Sequence, residues 1–187
     1  MRYRMIVAVA IGLVPLHRGA FAQTSSSANT EAGRVKAAYL KDFADLERKY
    51  VALADAFPAD KYAWRPMDGV RSVSQVLGLV VGENYLDVAP AFGGKPPAEV
   101  GSGEAARGKL EKLADRATLT EHVRESFALA RKSIAAWSGT GDGPIHIWGE
   151  TLPPVAAAMM VMADQHEHLG QLIAYARMNK IVPPWSK

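Results

Sequence analysis

The amino-acid sequence predicts an all-α fold, an up-and-down bundle of four long helices. Apolar residues recur at three- and four-residue steps over four long stretches, and each stretch is bounded by proline, glycine or a helix-capping pattern. No segment shows the alternation of apolar and polar residues that is typical of a half-buried strand. At 187 residues the chain is long enough for one domain with an ordinary hydrophobic core.

The first 22 residues have the pattern of a secretory signal peptide. Two arginines precede an apolar run from Met5 to Leu16, and the small residues of Ala20-Phe21-Ala22 follow it. The run is too short to span a bilayer and no cysteine follows the cleavage site, so neither a stable membrane anchor nor a lipoprotein is expected. We therefore predict a secreted, periplasmic protein with a disordered polar leader at 23–30 and a single domain over 31–187.

Removal of the signal peptide changes the charge balance of the chain. The formal net charge of the whole sequence is +3, and the signal peptide contains Arg2, Arg4 and Arg18 but no acidic residue, so the mature chain is close to neutral. No run of lysine or arginine remains that could neutralise a row of phosphates, and nucleic-acid binding is not expected. The sequence has no cysteine, which excludes disulfides, thiolate metal ligands and a cysteine nucleophile.

The first predicted helix covers residues 31–56 and ends before Pro58. The loop that follows contains proline, glycine and aspartate, and its Trp64 is expected to fold back on the helices.

The second predicted helix begins at the capping box formed by residues 72–75 (SVSQ) and continues to Pro90. Its Gly78 and Gly82 indicate the close approach of a neighbouring helix or side chain. A long connection rich in glycine and proline follows at 91–103.

The remaining elements are predicted from capping patterns and prolines. A short helix is expected at 110–114, and a third long helix runs from a capping box at 118–121 (TLTE) to about Trp137. An extended turn is expected at 145–149, before a fourth long helix at 154–179 that starts with proline. The core face of this fourth helix is predicted to comprise Val155, Met159, Met162, Leu169, Ile173 and Ala176.

The fourth predicted helix contains the strongest candidate for chemistry in the chain. At about 100° per residue, Asp164 and His168 lie about 40° apart on one face, whereas His166 points away and is expected outside, paired with a carboxylate. A carboxylate and an imidazole one turn apart can hold a metal ion, although a third ligand must come from another helix. The alternative is that the pair only marks the polar edge of a buried face.

Two segments of the chain resemble a known family. The segments VRSVSQVLGLVVGENY at 70–85 and HEHLGQLIAYARMNKIVPPWS at 166–186 are similar to the DinB-like superfamily of four-helix bundles, and the resemblance covers residues 34–187. It implies a divalent metal ion held by three histidines, one on the second helix and two spaced four residues apart on the fourth. Some members are metal-dependent thiol transferases or related enzymes, and many have no known activity.

The resemblance places only part of that metal site in this sequence. The last family histidine matches His168, the preceding one falls on Asp164, and the histidine of the second helix falls on Leu79. Aspartate is a competent ligand for zinc, nickel or manganese, but leucine is not a ligand. Glu83 is the best replacement because it lies one turn after Leu79 on about the same face. Its alternative role is a solvated carboxylate or a salt bridge.

The other histidines and several aromatic residues are weaker candidates. His122 is expected to face solvent, and His146 either reaches the site as a ligand or base or lies on a loop surface. No Ser-His-Asp order, P-loop or dinucleotide-binding glycine motif is present. The candidate pocket residues for a small-molecule ligand, some of which could instead be core or loop anchors, are Leu79, Trp64, Tyr85, Gln171 and Tyr175.

Three interpretations of function stay open. The favoured one is a binding or structural bundle without a complete metal site, because Leu79 is not a ligand. The alternative is a divalent-metal-dependent hydrolase or transferase that uses Asp164 and His168, completed by Glu83. Such an exported enzyme would need a substrate other than the intracellular thiols used by some relatives. The third interpretation is a homodimer whose interface is the apparent pocket face.

Overall fold

The computed structural model describes residues 31–137 and 143–186, so the predicted signal peptide and leader lie outside the described residues. The all-α prediction is confirmed at the level of fold class, with one small hairpin in addition. No helix in the described part is both long and apolar enough to cross a membrane. The elements are α1 (Glu31–Ala56), α2 (Val73–Glu83), α3 (Ala89–Ala91), α4 (Gly103–Glu111), α5 (Arg116–Ala136), β1 (Ile145–Ile147), β2 (Glu150–Leu152) and α6 (Pro154–Met178), with 3-10 turns at Ala59–Lys61 and Pro184–Ser186.

The hydrophobic core lies between the four longer helices. Helix α1 packs against α5 and α6, α2 packs against the same two helices, and α4 packs against α2. Phe127 of α5 contacts two rings of α1, with centroids 5.2 Å from Phe43 and 5.1 Å from Tyr50. All three rings are fully buried, and burial of a large apolar side chain contributes about 1.5–3 kcal/mol to folding. These contacts hold α1 and α5 together, and the Tyr50 hydroxyl also donates to the backbone carbonyl of Gln165 on α6.

The second helix starts as predicted but changes its winding after Glu83. Ser72 and Gln75 form the predicted capping box, because each side chain accepts a hydrogen bond from the other residue's backbone N–H. The chain then forms a π-helix over Asn84–Val88 before α3. π-Helical turns are rare and occur frequently at functional sites. This one follows directly on the candidate ligand Glu83.

Two helix starts differ from the prediction. Helix α5 begins at Arg116 rather than at the capping pattern predicted from Thr118, because the carboxylate of Asp115 accepts the backbone N–H of Thr118 at 2.8 Å. The short helix predicted at 110–114 overlaps only the end of α4, which runs from Gly103 to Glu111, so residues 112–114 lie outside the helix. It extends further toward the N-terminus because its apolar face packs on α2.

The segment predicted as an extended turn at 145–149 forms part of a β-hairpin instead. Strands of three residues are too short to show an alternating pattern, which is why the sequence did not indicate them. The turn places Trp148 and Gly149 at φ +50° and +80°, as tight hairpin turns require. The Trp148 indole N–H donates to Asp87 at 3.0 Å, and Arg107 donates to the same carboxylate at 2.9 Å. Asp87 therefore ties the hairpin and α4 to the π-helical segment.

The buried face of α6 is rotated relative to the predicted one. Val155 and Met159, expected in the core, are 40% and 68% exposed. Alanines take their place, since small side chains allow a close approach to neighbouring helices. The rotation also puts the polar residue Gln165 inside the protein. The buried residues of α6 are Ala157, Ala158, Val161, Gln165, Leu169, Leu172, Tyr175 and Ala176.

Gly78 lies where the backbone of α4 meets α2. A Cβ atom at Gly78 would lie 2.5 Å from the carbonyl oxygen of Leu110 and 3.0 Å from Cα of Glu111. Because both atoms belong to the backbone, they cannot move away as the end of a side chain could. The predicted close approach at Gly78 is confirmed. At Gly82 the nearest atoms, from Arg107, would be at an ordinary contact distance of 3.7 Å.

We expect Gly78→Ala to lower the free energy of unfolding by about 1–3 kcal/mol, because α4 would have to shift. Gly170→Ala is the matched control, since Gly170 is exposed on α6 and a Cβ there would meet nothing within 4 Å. Removal of a helical glycine at such a position should stabilise the protein by about 0.5–1 kcal/mol. Chemical denaturation measures both values, and a Gly78→Ala protein as stable as Gly170→Ala would contradict the close contact.

Candidate metal centre

Three side chains from two helices converge at one point. Glu83 of α2 and Asp164 and His168 of α6 each offer a ligand atom, and these atoms all lie within 4.8 Å of one another. His168 Nε2 is 3.8 Å from Glu83 Oε1 and 3.7 Å from Asp164 Oδ1. The ligand atoms of a tetrahedral site with bonds of about 2.1 Å are about 3.4 Å apart. Small side-chain movements would therefore close these donors around one ion.

A chain of hydrogen bonds orients the imidazole of His168. Its Nδ1 lies 3.4 Å from Oε1 of Gln171, whose amide N–H donates to the hydroxyl of Tyr175 at 2.9 Å. Tyr175 in turn donates to the backbone carbonyl of Arg71 at 3.0 Å. Because an amide oxygen only accepts, Nδ1 is the donor in this contact, and Nε2 is the ring nitrogen that faces the two carboxylates. Metal-bound histidines typically donate their second ring N–H in this way.

Gln165 belongs to the site although the sequence did not indicate it. It is fully buried, and its side-chain amide donates to Glu83 Oε2 at 3.2 Å. Its backbone carbonyl accepts a hydrogen bond from Tyr50 of α1 at 2.7 Å. Burial and the neighbouring carboxylates of Glu83 and Asp164 raise the pKa of Tyr50 well above its usual value, so it stays a neutral donor. The available signal was a glutamine within the stripe of small and apolar residues that α6 buries.

The two carboxylates dominate the electrostatics of the site. Glu83 is 7% exposed, and burial, followed by the negative charge of Asp164, raises the pKa of Glu83 from 4.5 to about 9. Asp164 Oδ2 is buried without a hydrogen-bond donor among the described residues. At neutral pH Glu83 therefore keeps its proton. A divalent ion would replace that proton and supply a partner for the unpaired oxygen, so the donor set fits a cation.

The donor types and their exposure define what the centre could hold. Two carboxylates and one imidazole suit zinc, manganese or nickel. The side chains of Asp164 and His168 are 30% and 15% exposed, whereas that of Glu83 is 9% exposed. The site is thus closed on the α2 side and accessible from the α6 side. A site with three protein ligands and an accessible side is typical of catalytic rather than structural zinc centres.

Two other histidines lie away from these donors. His166 is on the outside of α6, where its Nε2 lies 2.8 Å from the carboxylate of Asp42, and the expected pairing with a carboxylate is confirmed. His122 was expected to face solvent but is partly buried. The reason is its contact with Tyr85, whose ring lies edge-on with the centroids 6.0 Å apart.

His146 lies on the protein surface, whereas Leu79 is buried. His146 is exposed on β1, and its Nδ1 lies 2.9 Å from the hydroxyl of Thr151 on β2. It is not part of the group of donors around Glu83. Leu79 is 8% exposed on α2, one turn before Glu83. The position that the resemblance aligns with a histidine is therefore occupied by a buried apolar side chain.

The candidate pocket residues divide into two locations. Trp64 lies edge-on to Tyr175 with centroids 5.4 Å apart, and Tyr175 is bonded to Gln171, so these three residues are neighbours. Tyr85 is fully buried elsewhere and donates from its hydroxyl to Glu125 of α5. Its role in a ligand pocket stays a prediction.

Comparison of the chain with family models, curated proteins and solved structures finds no match. The described residues bring together two carboxylates and one imidazole that could hold a metal ion, within a mostly helical fold.

Glu83 should make the stability of the metal-free protein depend on pH. The unfolded chain ionises Glu83 near pH 4.5, whereas the folded protein keeps it protonated to about pH 9. The folded state therefore binds more protons in this window, and the contribution of Glu83 to the free energy of unfolding falls as pH rises. We expect Glu83→Gln to raise Tm at pH 8 by about 3 °C or more.

Thermal denaturation in the presence of a chelator, between pH 5 and pH 9, measures this effect. Glu167→Gln, an exposed position on the same α6 helix as Asp164, is the control and should follow the wild type. A Glu83→Gln protein with the same pH dependence as the wild type would show that Glu83 ionises normally in the folded state.

Proposed function

We propose that the protein belongs to the DinB-like type of four-helix bundle and is exported to the periplasm. The ring of contacts α1–α5–α2–α6–α1 supports the bundle, because each of these helices packs on two others. Export is supported by the signal-peptide pattern of residues 1–22.

The proposed activity is that of a divalent-metal-dependent hydrolase or transferase. The observation that carries it is the convergence of Glu83 with Asp164 and His168 within 4.8 Å. Leu79 removes the ligand that the family resemblance implies on the second helix. Glu83, one turn later, contributes a carboxylate from the same helix and replaces that ligand.

The chain's own residues account for the binding of such an ion. Glu83 and Asp164 balance its charge, and Gln171 holds the imidazole of His168 in the tautomer that directs Nε2 to the site. Gln165 fixes Glu83 through its second oxygen. When bound, a divalent ion supplies a Lewis acid and lowers the pKa of a coordinated water. The exposed side of Asp164 is where a substrate can approach.

A binding or structural role without metal is the second candidate, and one observation favours it. The raised pKa of Glu83 means that a proton competes with the ion at neutral pH. Each pH unit below about 9 should weaken the apparent metal affinity about tenfold, since one proton must leave. Metal binding is therefore best measured at pH 8 or above.

Metal analysis of the mature protein, purified without a histidine tag, separates the two candidates. We expect one equivalent of zinc, manganese or nickel at pH 8, because the proton on Glu83 then weakens the apparent affinity only about tenfold. His168→Ala should lose it. His166→Ala is the matched control, since it removes a histidine two residues away that pairs with Asp42 on the outside. A wild-type protein without stoichiometric metal, or equal loss in both variants, would contradict the proposal.

If the centre is catalytic, the same substitutions that remove the metal should also remove the activity. A hydrolytic or transfer activity of the protein should be lost in His168→Ala and Asp164→Asn and retained in His166→Ala. An activity that survives removal of the metal would belong to another site.

The hydrogen bond from Gln171 to His168 should contribute to metal affinity. We expect Gln171→Leu, which keeps the side-chain volume, to weaken metal binding about tenfold or more, because the imidazole loses the acceptor that orients it. Competition with a coloured chelator measures the change. Tyr175→Phe removes a contact with the far end of the Gln171 amide and one with the Arg71 carbonyl, and it should have a smaller effect because neither contact involves His168. Unchanged affinity in Gln171→Leu would show that the 3.4 Å contact does not orient His168.

A further inference from the structure

We infer that a cavity beside the candidate metal centre binds an oxyanion group of the substrate, a carboxylate or a phosphate. The cavity has a volume of about 470 Å³ and lies between the loop that precedes α2 and the surface of α6. The role of the cavity in a reaction rests on the proposed metal-dependent function. The binding of an oxyanion to the cavity does not depend on it. The lining residues are Arg65, Gly69, Val70, Arg71, Gln75 and Gln171.

The positive charge of the cavity comes from two arginines of its lining, Arg65 and Arg71. Arg65 and Arg71 are exposed, and neither forms an ion pair with a carboxylate of the described residues. Asp68 belongs to the same loop but does not line the cavity. By contrast, Arg107 and Arg131 are each paired with a carboxylate. A guanidinium group offers planar donors that match both oxygens of a carboxylate or phosphate.

The loop that carries both arginines is anchored before any ligand binds. The backbone N–H of Val73 donates to the carbonyl of Trp64 at 3.0 Å, which ties the two ends of the loop together. The carbonyl of Arg71 itself accepts the hydroxyl of Tyr175 at 3.0 Å. Arg65 directly follows Trp64, so both arginines start from fixed backbone positions. Because the loop backbone is already fixed, less conformational entropy is lost when a ligand binds.

Gln171 connects the cavity to the metal centre. It lines the cavity and also lies 3.4 Å from Nδ1 of His168. Residues three apart on a helix have Cβ atoms about 5–6 Å from each other, so the cavity begins one helical turn from the metal ligand. Gln75 lies in the first turn of α2, which adds the positive end of that helix to the same wall. A small substrate could thus place its oxyanion at the arginines and its reacting bond near Asp164.

Titration with inorganic phosphate and with succinate at low ionic strength tests the inference. The mature protein is used as purified and after metal removal, and binding is followed by calorimetry. We expect saturable binding of at least one of the two anions without metal, weakened about tenfold or more in Arg65→Ala and in Arg71→Ala. The anion that binds more tightly identifies the group that the substrate carries.

Arg177→Ala is the matched control because Arg177 is an exposed arginine of α6, without an ion pair among the described residues, and does not line the cavity. It should bind the anion as the wild type does. An equal loss in Arg177→Ala would indicate general charge attraction and overturn the inference. No saturable binding of either anion would also overturn it.

Glu83→Gln separates this inference from the proposed function. Arginine-dependent anion binding that persists in Glu83→Gln supports the cavity site even if the wild-type protein binds no metal. Anion binding that requires the metal and disappears in His168→Ala would place the anion on the ion and overturn the separate cavity site.

Discussion

The candidate site depends on the burial of one carboxylate. Glu83 lies inside the protein beside a second carboxylate, and a buried charge of this kind must be neutralised by a proton or a cation. Arg107 acts on Glu83 from a distance, but its guanidinium group is already bound to Asp87. The basic group that faces both carboxylates is the imidazole of His168, 3.8 Å from Glu83 Oε1 and 3.7 Å from Asp164 Oδ1. The negative charge of the buried carboxylates is neutralised by a proton in the metal-free protein, and a divalent ion would neutralise it in the proposed holoprotein.

The elements around Glu83 hold this arrangement in place. The contact between Gly78 and the backbone of α4 fixes α2 laterally, and the π-helical segment begins immediately after Glu83. On the other side, the regular spacing of α6 presents Asp164 and His168 on one face, while Gln165 reaches Glu83 from the core. Two of the candidate ligands are thus placed by local helix geometry. The third is placed by the packing of one helix on another.

This division explains what could be predicted from the sequence. Periodicity and prolines predicted the bounds of α1 and α6 closely, and the four-residue spacing paired Asp164 with His168 because that geometry is local. Glu83 could be named only as a candidate, since its approach depends on tertiary packing. Gln165 was missed because methionine was given more weight than alanine when the buried face of α6 was predicted, whereas close helix packing favours the smaller residue. The hairpin was too short to produce a pattern.

The separation of the donors along the chain has a consequence for the lifetime of the protein. Glu83 and the α6 donors are separated by α4, α5 and the hairpin, so an unfolded chain does not hold all three together. A ligand that binds only the native state lowers the population of unfolded molecules in proportion to its free concentration. In a compartment with active proteases, degradation of the transiently opened chain follows that population. Metal supply would then set how long each molecule survives.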